Sequence, residues 1–141
     1  MPELPEVETI RRDLEKEVVG KRIKSVEVTG ERTTRRHQTP GSFVSQLEGR
    51  KITGVTRKGK YLLLGLEADA GAGRKADVLV VHLGMSGQLQ RAKSAREPLA
   101  KHTHVVVTFT QAGQLRYVDP RTFGELFVTS ADELEQVVPG G

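Results

Sequence analysis

One amphipathic stripe is followed by nothing but short apolar runs, and that order constrains the fold more than any other feature of the chain. Val7, Ile10, Leu14 and Val18 recur at helical spacing, so a helix over residues 6–18 needs cover on one face. Pro5 suits its first turn, Glu6 and Glu8 complement the positive end of its dipole, and Gly20 offers a left-handed stop. Beyond it the texture is that of strands, at residues 23–28, 61–66, 78–83, 105–109 and 115–118. A short helix is predicted over residues 43–47, with Ser42 as its cap and Gly49 at its end. Ser130-Ala131-Asp132-Glu133 has the form of a capping box that opens another. Loops fall at residues 30–41, 68–75 and 92–101, and the Ala-Asp-Ala-Gly-Ala-Gly tract in the second reads as a flexible hairpin tip. The expected class is α+β, mainly β: a β-sandwich flanked by an N-terminal helix and one or two short helices.

At 141 residues the chain suits one domain with a core of its own. It has no cysteine, which excludes disulfides, thiol catalysis and thiolate zinc ligands from these residues. It also lacks an apolar run of about eighteen residues and begins without the apolar stretch of a secretory signal, so no membrane partner and a cytoplasmic address are expected. The net charge of +4 conceals a basic quarter: residues 21–60 carry 11 basic and 3 acidic side chains. Such a cluster suits a polyanion, whose counterions it displaces. A solvated basic face accounts for the charge equally well.

The first residues carry possible chemistry. Removal of Met1 would leave Pro2 as a secondary amine, partly unprotonated at neutral pH and able to form an iminium with an aldehyde-like carbon. Glu3 beside it, with Glu6 a turn further on, could move protons. Many chains begin Met-Pro, however, and early glutamates commonly decorate a helix start. Met1-Pro2-Glu3-Leu4-Pro5-Glu6-Val7-Glu8-Thr9 resembles the opening of the formamidopyrimidine-DNA glycosylase family. Three later blocks follow in that family's order: residues 58–64, Lys-Gly-Lys-Tyr-Leu-Leu-Leu; residues 82–87, His-Leu-Gly-Met-Ser-Gly; and Leu115-Arg116-Tyr117 leading into Asp119-Pro120-Arg121-Thr122-Phe123-Gly124. Endonuclease VIII, a close relative of that family, typically has glycine where this chain has Leu4, which favours the oxidised-purine branch.

The resemblance implies roles. Pro2 would be the nucleophile at the sugar C1′, Glu3 the acid/base of ring opening, and Lys60 the proton donor in strand cleavage and a contact to the damaged nucleotide. From the residues alone, Lys60 could equally be a charge guarding the aggregation-prone run 61–66. Met85 and Phe123 match residues that probe the duplex once a nucleotide is extruded, and Arg121 matches the contact to the widowed base. His102 and His82 would lie on DNA phosphates, while His104 packs or hydrogen-bonds at a strand start. His102 and His104, two apart on a strand, and His82 also invite a metal reading, but no carboxylate or thiol lies close by in sequence.

Thr122 departs from the family, many of whose members have a second arginine there. The family also continues into a helix-two-turn-helix domain and a zinc finger, so residues 1–141 are expected to be its N-terminal catalytic domain. The abrupt end after Val137-Val138-Pro139-Gly140-Gly141 reads as a cut. No cofactor is expected in this chain, and the one implied zinc belongs to the missing finger. The implied partner is damaged double-stranded DNA, acted on by a monomer near a prokaryotic nucleoid. The implied function is base-excision repair: removal of 8-oxoguanine and formamidopyrimidines, then strand cutting by β- and δ-elimination. The isolated domain is expected to be inactive, all the more so if a retained Met1 turns the Pro2 nitrogen into an amide. The alternatives are a non-catalytic damage-binding module and an endonuclease VIII-like enzyme for oxidised pyrimidines.

Overall fold

Apolar runs that do not alternate need cover on both faces of their sheet, and the structure supplies it. The computed structural model describes residues 3–69, 71 and 73–138. Helix α1 (Leu4–Val18) leads into strand β1 (Ile23–Val28), a 3-10 turn (Glu31–Thr34) and helix α2 (Pro40–Ser45). Seven strands follow: β2 (Ile52–Lys58), β3 (Tyr61–Leu66), β4 (Asp77–His82), β5 (Gln88–Ala92), β6 (Thr103–Phe109), β7 (Gln114–Val118) and β8 (Glu125–Ser130). Helix α3 (Leu134–Val137) comes last among the described residues. The strands make two four-stranded antiparallel sheets, ordered β1-β6-β7-β5 and β2-β3-β4-β8. The expected β-sandwich is therefore formed.

Val26, Val105, Val107 and Leu115 of one sheet share a core with Val55, Leu62, Leu64, Leu79 and Val81 of the other, and with Val7, Leu14 and Val18 of α1. Each such side chain contributes about 1.5–3 kcal/mol on burial. Leu63, Val80 and Phe127 belong to a second cluster with Val138 and α3, which explains why β3 and β4 read as unbroken apolar runs. Helix α1 covers the rim between the sheets. Arg11 donates to the carbonyl of Val55 on β2 (3.2 Å), and Arg91 on β5 pairs with Asp13 (3.7 Å) and Glu17. As β2 and β5 are edge strands, one helix shields two rims that would otherwise invite pairing with another chain. At the opposite rim the Val128 N–H of β8 donates to His37 Nε2 (3.1 Å).

Strands β2, β5 and β8 went unread in the sequence. In β2 the buried residues Ile52 and Val55 are three apart, and a register shift between Ile52 and Gly54 brings both inside. β5 buries only Leu89 and Ala92, and β8 has just the apolar trio 126–128. Helix α1 begins at Leu4, earlier than expected, with Glu3 as its N-cap. The second helix starts at Pro40, and its cap is Thr39, whose hydroxyl accepts from the Ser42 N–H (3.1 Å), rather than Ser42. The Glu133 N–H does donate to Ser130 Oγ (3.2 Å), but this closes a turn and α3 starts one residue later. At the tip of the β3–β4 hairpin, Asp69 and Arg74 exchange two backbone hydrogen bonds of 2.8 Å. Ala70 and Ala72 of that tip lie outside the described residues, as do Pro139, Gly140 and Gly141.

The loop 92–101 is fastened by one buried side chain, Arg116 of β7. It donates to the Gln114 side chain (2.9 Å) and to the carbonyls of Glu97 (2.9 Å) and Pro98 (3.1 Å). Arg116→Ala is expected to cost about 2–3 kcal/mol, because those carbonyls lose their donor. Urea unfolding measures this, and a loss under about 0.5 kcal/mol would show that the loop holds without it.

Candidate active site and nucleic-acid interface

Lys58-Gly59-Lys60-Tyr61 turns β2 into β3. Gly59 has φ +59°, Lys58 pairs with Tyr61, and the turn places Lys60 at its tip. There the Lys60 ammonium lies 3.3 Å from Glu3 Oε2, across 57 residues of sequence. Glu8 holds helix and hairpin together. Its carboxylate takes Arg57 of β2 (2.9 Å), Arg11 (2.9 Å) and Arg12 (3.0 Å). Hydrogen bonds from Arg11, then Arg57 and Arg12, hold its carboxyl well below the usual range. Sequence reading gave Glu8 only a helix-dipole role, because its partner Arg57 is 49 residues away. Pro2, the expected nucleophile, lies outside the described residues.

A second constellation is centred on Asp119, which is fully buried. Its Oδ1 accepts from the Ser86 hydroxyl (2.6 Å) and the Arg121 N–H (3.2 Å), and its Oδ2 from the Tyr117 hydroxyl (2.8 Å) and the Gly124 N–H (3.0 Å). Its own N–H donates to His102 O (3.0 Å), and its carbonyl accepts from His104 Nε2 (2.7 Å), which must therefore carry the proton. Burial alone would raise this carboxyl. The donors from Ser86, Gly124, Tyr117 and Arg121 outweigh burial and hold it below its ordinary value, while burial and then Asp119 push the Tyr117 phenol up. Glycines permit the close packing: a Cβ on Gly124 would run into the Tyr117 hydroxyl and the His82 carbonyl, and one on Gly84 would lie 2.6 Å from the Gly124 nitrogen. Asp119 sat inside a motif noticed in the sequence but received no role, since its partners lie up to 33 residues away.

Met85 and Phe123 project from the two loops that Asp119 joins, and each is 49% exposed. Arg121 is exposed beside them. Met85, Ser86, Gly87, Gln88 and Leu89 face Glu6 and Ile10 of α1 across a recess of about 420 Å³. His82 lies half-buried at the end of β4, stacked on Tyr61 with ring centroids 4.5 Å apart. Burial holds its pKa below the ordinary imidazole value. His102 is exposed, with φ +65°. Among the described residues, no three histidines or acids are grouped to hold a metal.

The basic quarter divides in two. Arg35 donates to the carbonyls of Gly124 (2.9 Å) and Phe123 (3.4 Å), Arg32 to that of Thr122 (3.2 Å), and Arg36 binds both Glu125 oxygens. Arg50 is buried on Asp77 (2.7 Å). Lys24, Lys51 and Lys58 have no ion pair or side-chain hydrogen bond among the described residues.

Residues 1–126 match the model of the formamidopyrimidine-DNA glycosylase N-terminal domain. The chain belongs to that family. It is 42% identical over 139 residues to the formamidopyrimidine-DNA glycosylase of Geobacillus kaustophilus, covering 99% of this chain and 47% of the relative. It superposes on a structure of MutM in complex with carbocyclic 8-oxo-G containing DNA, with TM-score 0.83 and 38% identity over 94% of this chain and 46% of that one. A complex between the Lactococcus lactis Fpg and an abasic site containing DNA gives TM-score 0.82 and 38% identity over 94% and 45% of the two chains. The chain thus spans just under half the length of these glycosylase-family proteins.

Because the Asp119 carboxyl is lowered in the folded domain, its stabilisation is complete above the unfolded value near pH 3.9 and is lost as pH falls through the folded one. Asp119→Asn is expected to lose about 2–3 kcal/mol at pH 7 and to show a shallower fall in stability towards acid. Urea midpoints taken at neutral pH and in acid test both points, and equal acid slopes for wild type and variant would refute the assignment. Gly124→Ala is expected to destabilise by about 1–3 kcal/mol through overpacking against Tyr117, read as a lowered Tm.

Proposed function

We propose that the protein carrying this chain is a bifunctional DNA glycosylase and AP lyase. It excises oxidised purines, 8-oxoguanine and formamidopyrimidines, from damaged double-stranded DNA. The observation that carries the proposal is the pairing of Lys60 with Glu3 at the start of α1, next in sequence to a residue whose amine could be a nucleophile. Pro2 attacks the sugar C1′, the bond to the damaged base breaks, and an iminium joins enzyme and sugar. Glu3 handles the proton of ring opening, and Lys60 donates one during base loss or strand cleavage. Once C1′ is bound as the iminium, β- and then δ-elimination cut the strand. Met85 and Phe123 enter the space left by the extruded nucleotide, where their exposure suits a wedge. Arg121 meets the base opposite, and His82 and His102 donate to phosphates.

The zinc implied by the family is proposed for a finger in the part of the relatives that this chain does not span. His82 and His104 are already engaged with Tyr61 and Asp119, and no step above uses a metal. The protein is proposed to act as a monomer at the nucleoid.

In the protein of full family length, Pro2→Gly is expected to reduce borohydride-trapped adducts on abasic DNA by on the order of a hundredfold or more, with duplex affinity little changed. Near-normal trapping would move the nucleophile elsewhere, and no trapping by the wild type would favour a damage-binding module. Lys60→Ala should slow excision at intact lesions more than cleavage at abasic sites. Equal rates for wild type and variant on both substrates would remove Lys60 from the mechanism.

A further inference from the structure

Met85 stands between β4 and β5, and Phe123 between β7 and β8. Exposed apolar side chains on separate loops would each have to be ordered when DNA binds, at an entropic cost to affinity. Here both loops end on one buried carboxylate. Asp119 takes the hydroxyl of Ser86, the neighbour of Met85, and the N–H groups of Arg121 and Gly124, which bracket Phe123. From the other side, Arg35 takes the carbonyls of Phe123 and Gly124, and Arg32 takes that of Thr122. Thr122 has φ +54°, a conformation disfavoured for a β-branched residue, so the loop is held in shape by these bonds.

We propose that Asp119 and Arg35 are positioning residues that fuse the two loops into one preformed, two-pronged wedge, so that Met85 and Phe123 enter a duplex as a unit. This rests on the reading of Met85 and Phe123 as duplex probes given above. It also assigns Arg35, a member of the basic quarter, to the protein's own backbone.

The test uses the 141-residue chain with two duplexes, one intact and one carrying a tetrahydrofuran abasic analogue. The variants are Asp119→Asn, Arg35→Met and the milder Ser86→Ala, which carries the test should Asp119→Asn fail to fold. In Asp119→Asn and Arg35→Met the preference for the abasic duplex should fall about tenfold, with affinity for the intact duplex unchanged within about twofold. The salt dependence should also stay as in the wild type. A salt slope lowered by about 0.9 in Arg35→Met would identify a phosphate ligand instead and overturn the assignment. The second readout needs no DNA. The ¹³C-methyl signal of Met85 should shift in Arg35→Met, although of the two loops Arg35 touches only that of Phe123. A Met85 signal unmoved while the Phe123 and Gly124 amides shift would show the loops to be independent. If the wild type does not prefer the abasic duplex, the functional reading fails, and the methyl signal still decides the coupling.

Discussion

Taking a carboxylate out of water costs several kcal/mol unless donors replace its hydration shell, and around Asp119 that replacement dictates the local architecture. Four donors must converge on two oxygens. They come from the β4–β5 loop, from β7 and from the β7–β8 loop. Convergence brings the loops close enough that Gly84 and Gly124 have no room for a side chain. The Tyr117 hydroxyl, reaching out of the core, forms the floor on which they meet. The exposed pair Met85 and Phe123 follows from this arrangement, since the loops' polar groups turn inward and leave those side chains outside.

Charge in the basic quarter serves two purposes. Arg32, Arg35, Arg36, Arg50 and Arg57 fasten loops, a helix and edge strands from within. Planar guanidinia are suited to this because they address two carbonyls or both oxygens of a carboxylate at once. The members with no side-chain partner among the described residues, Lys24, Lys51 and Lys58, are all lysines, compact and strongly hydrated charges fit for a diffuse attraction to a polyanion. Summed charge therefore overstates how much of the segment is available to a nucleic acid.

The sequence was legible where one periodicity held without interruption. Helix α1 and the runs of β3, β4 and β6 announced themselves, as did the left-handed stop at Gly20, whereas the second helix ends at Ser45, short of Gly49. Strand β2 was hidden because a bulge puts Ile52 and Val55, three residues apart, on the same side. Motif order disclosed the family, and through that resemblance singled out Lys60. Glu8 and Asp119 were illegible for a shared reason: each has local partners, but what ties it to another element is a partner dozens of residues away, Arg57 for Glu8 and Ser86 for Asp119, and local spacing carries no trace of such pairings.

Helix α1 touches β2 on one sheet and, through Asp13 and Glu17, β5 on the other. Strand β1 in turn finds its partner only in β6. The first two elements of the chain are thus completed by elements made much later, a topology of long loop closures and slow assembly. Glu3, at the N-cap of that helix, lies beside Lys60 of the β2–β3 turn. The Glu3–Lys60 pair is in this way tied to a helix that both sheets receive, so its placement depends on the sandwich as a whole.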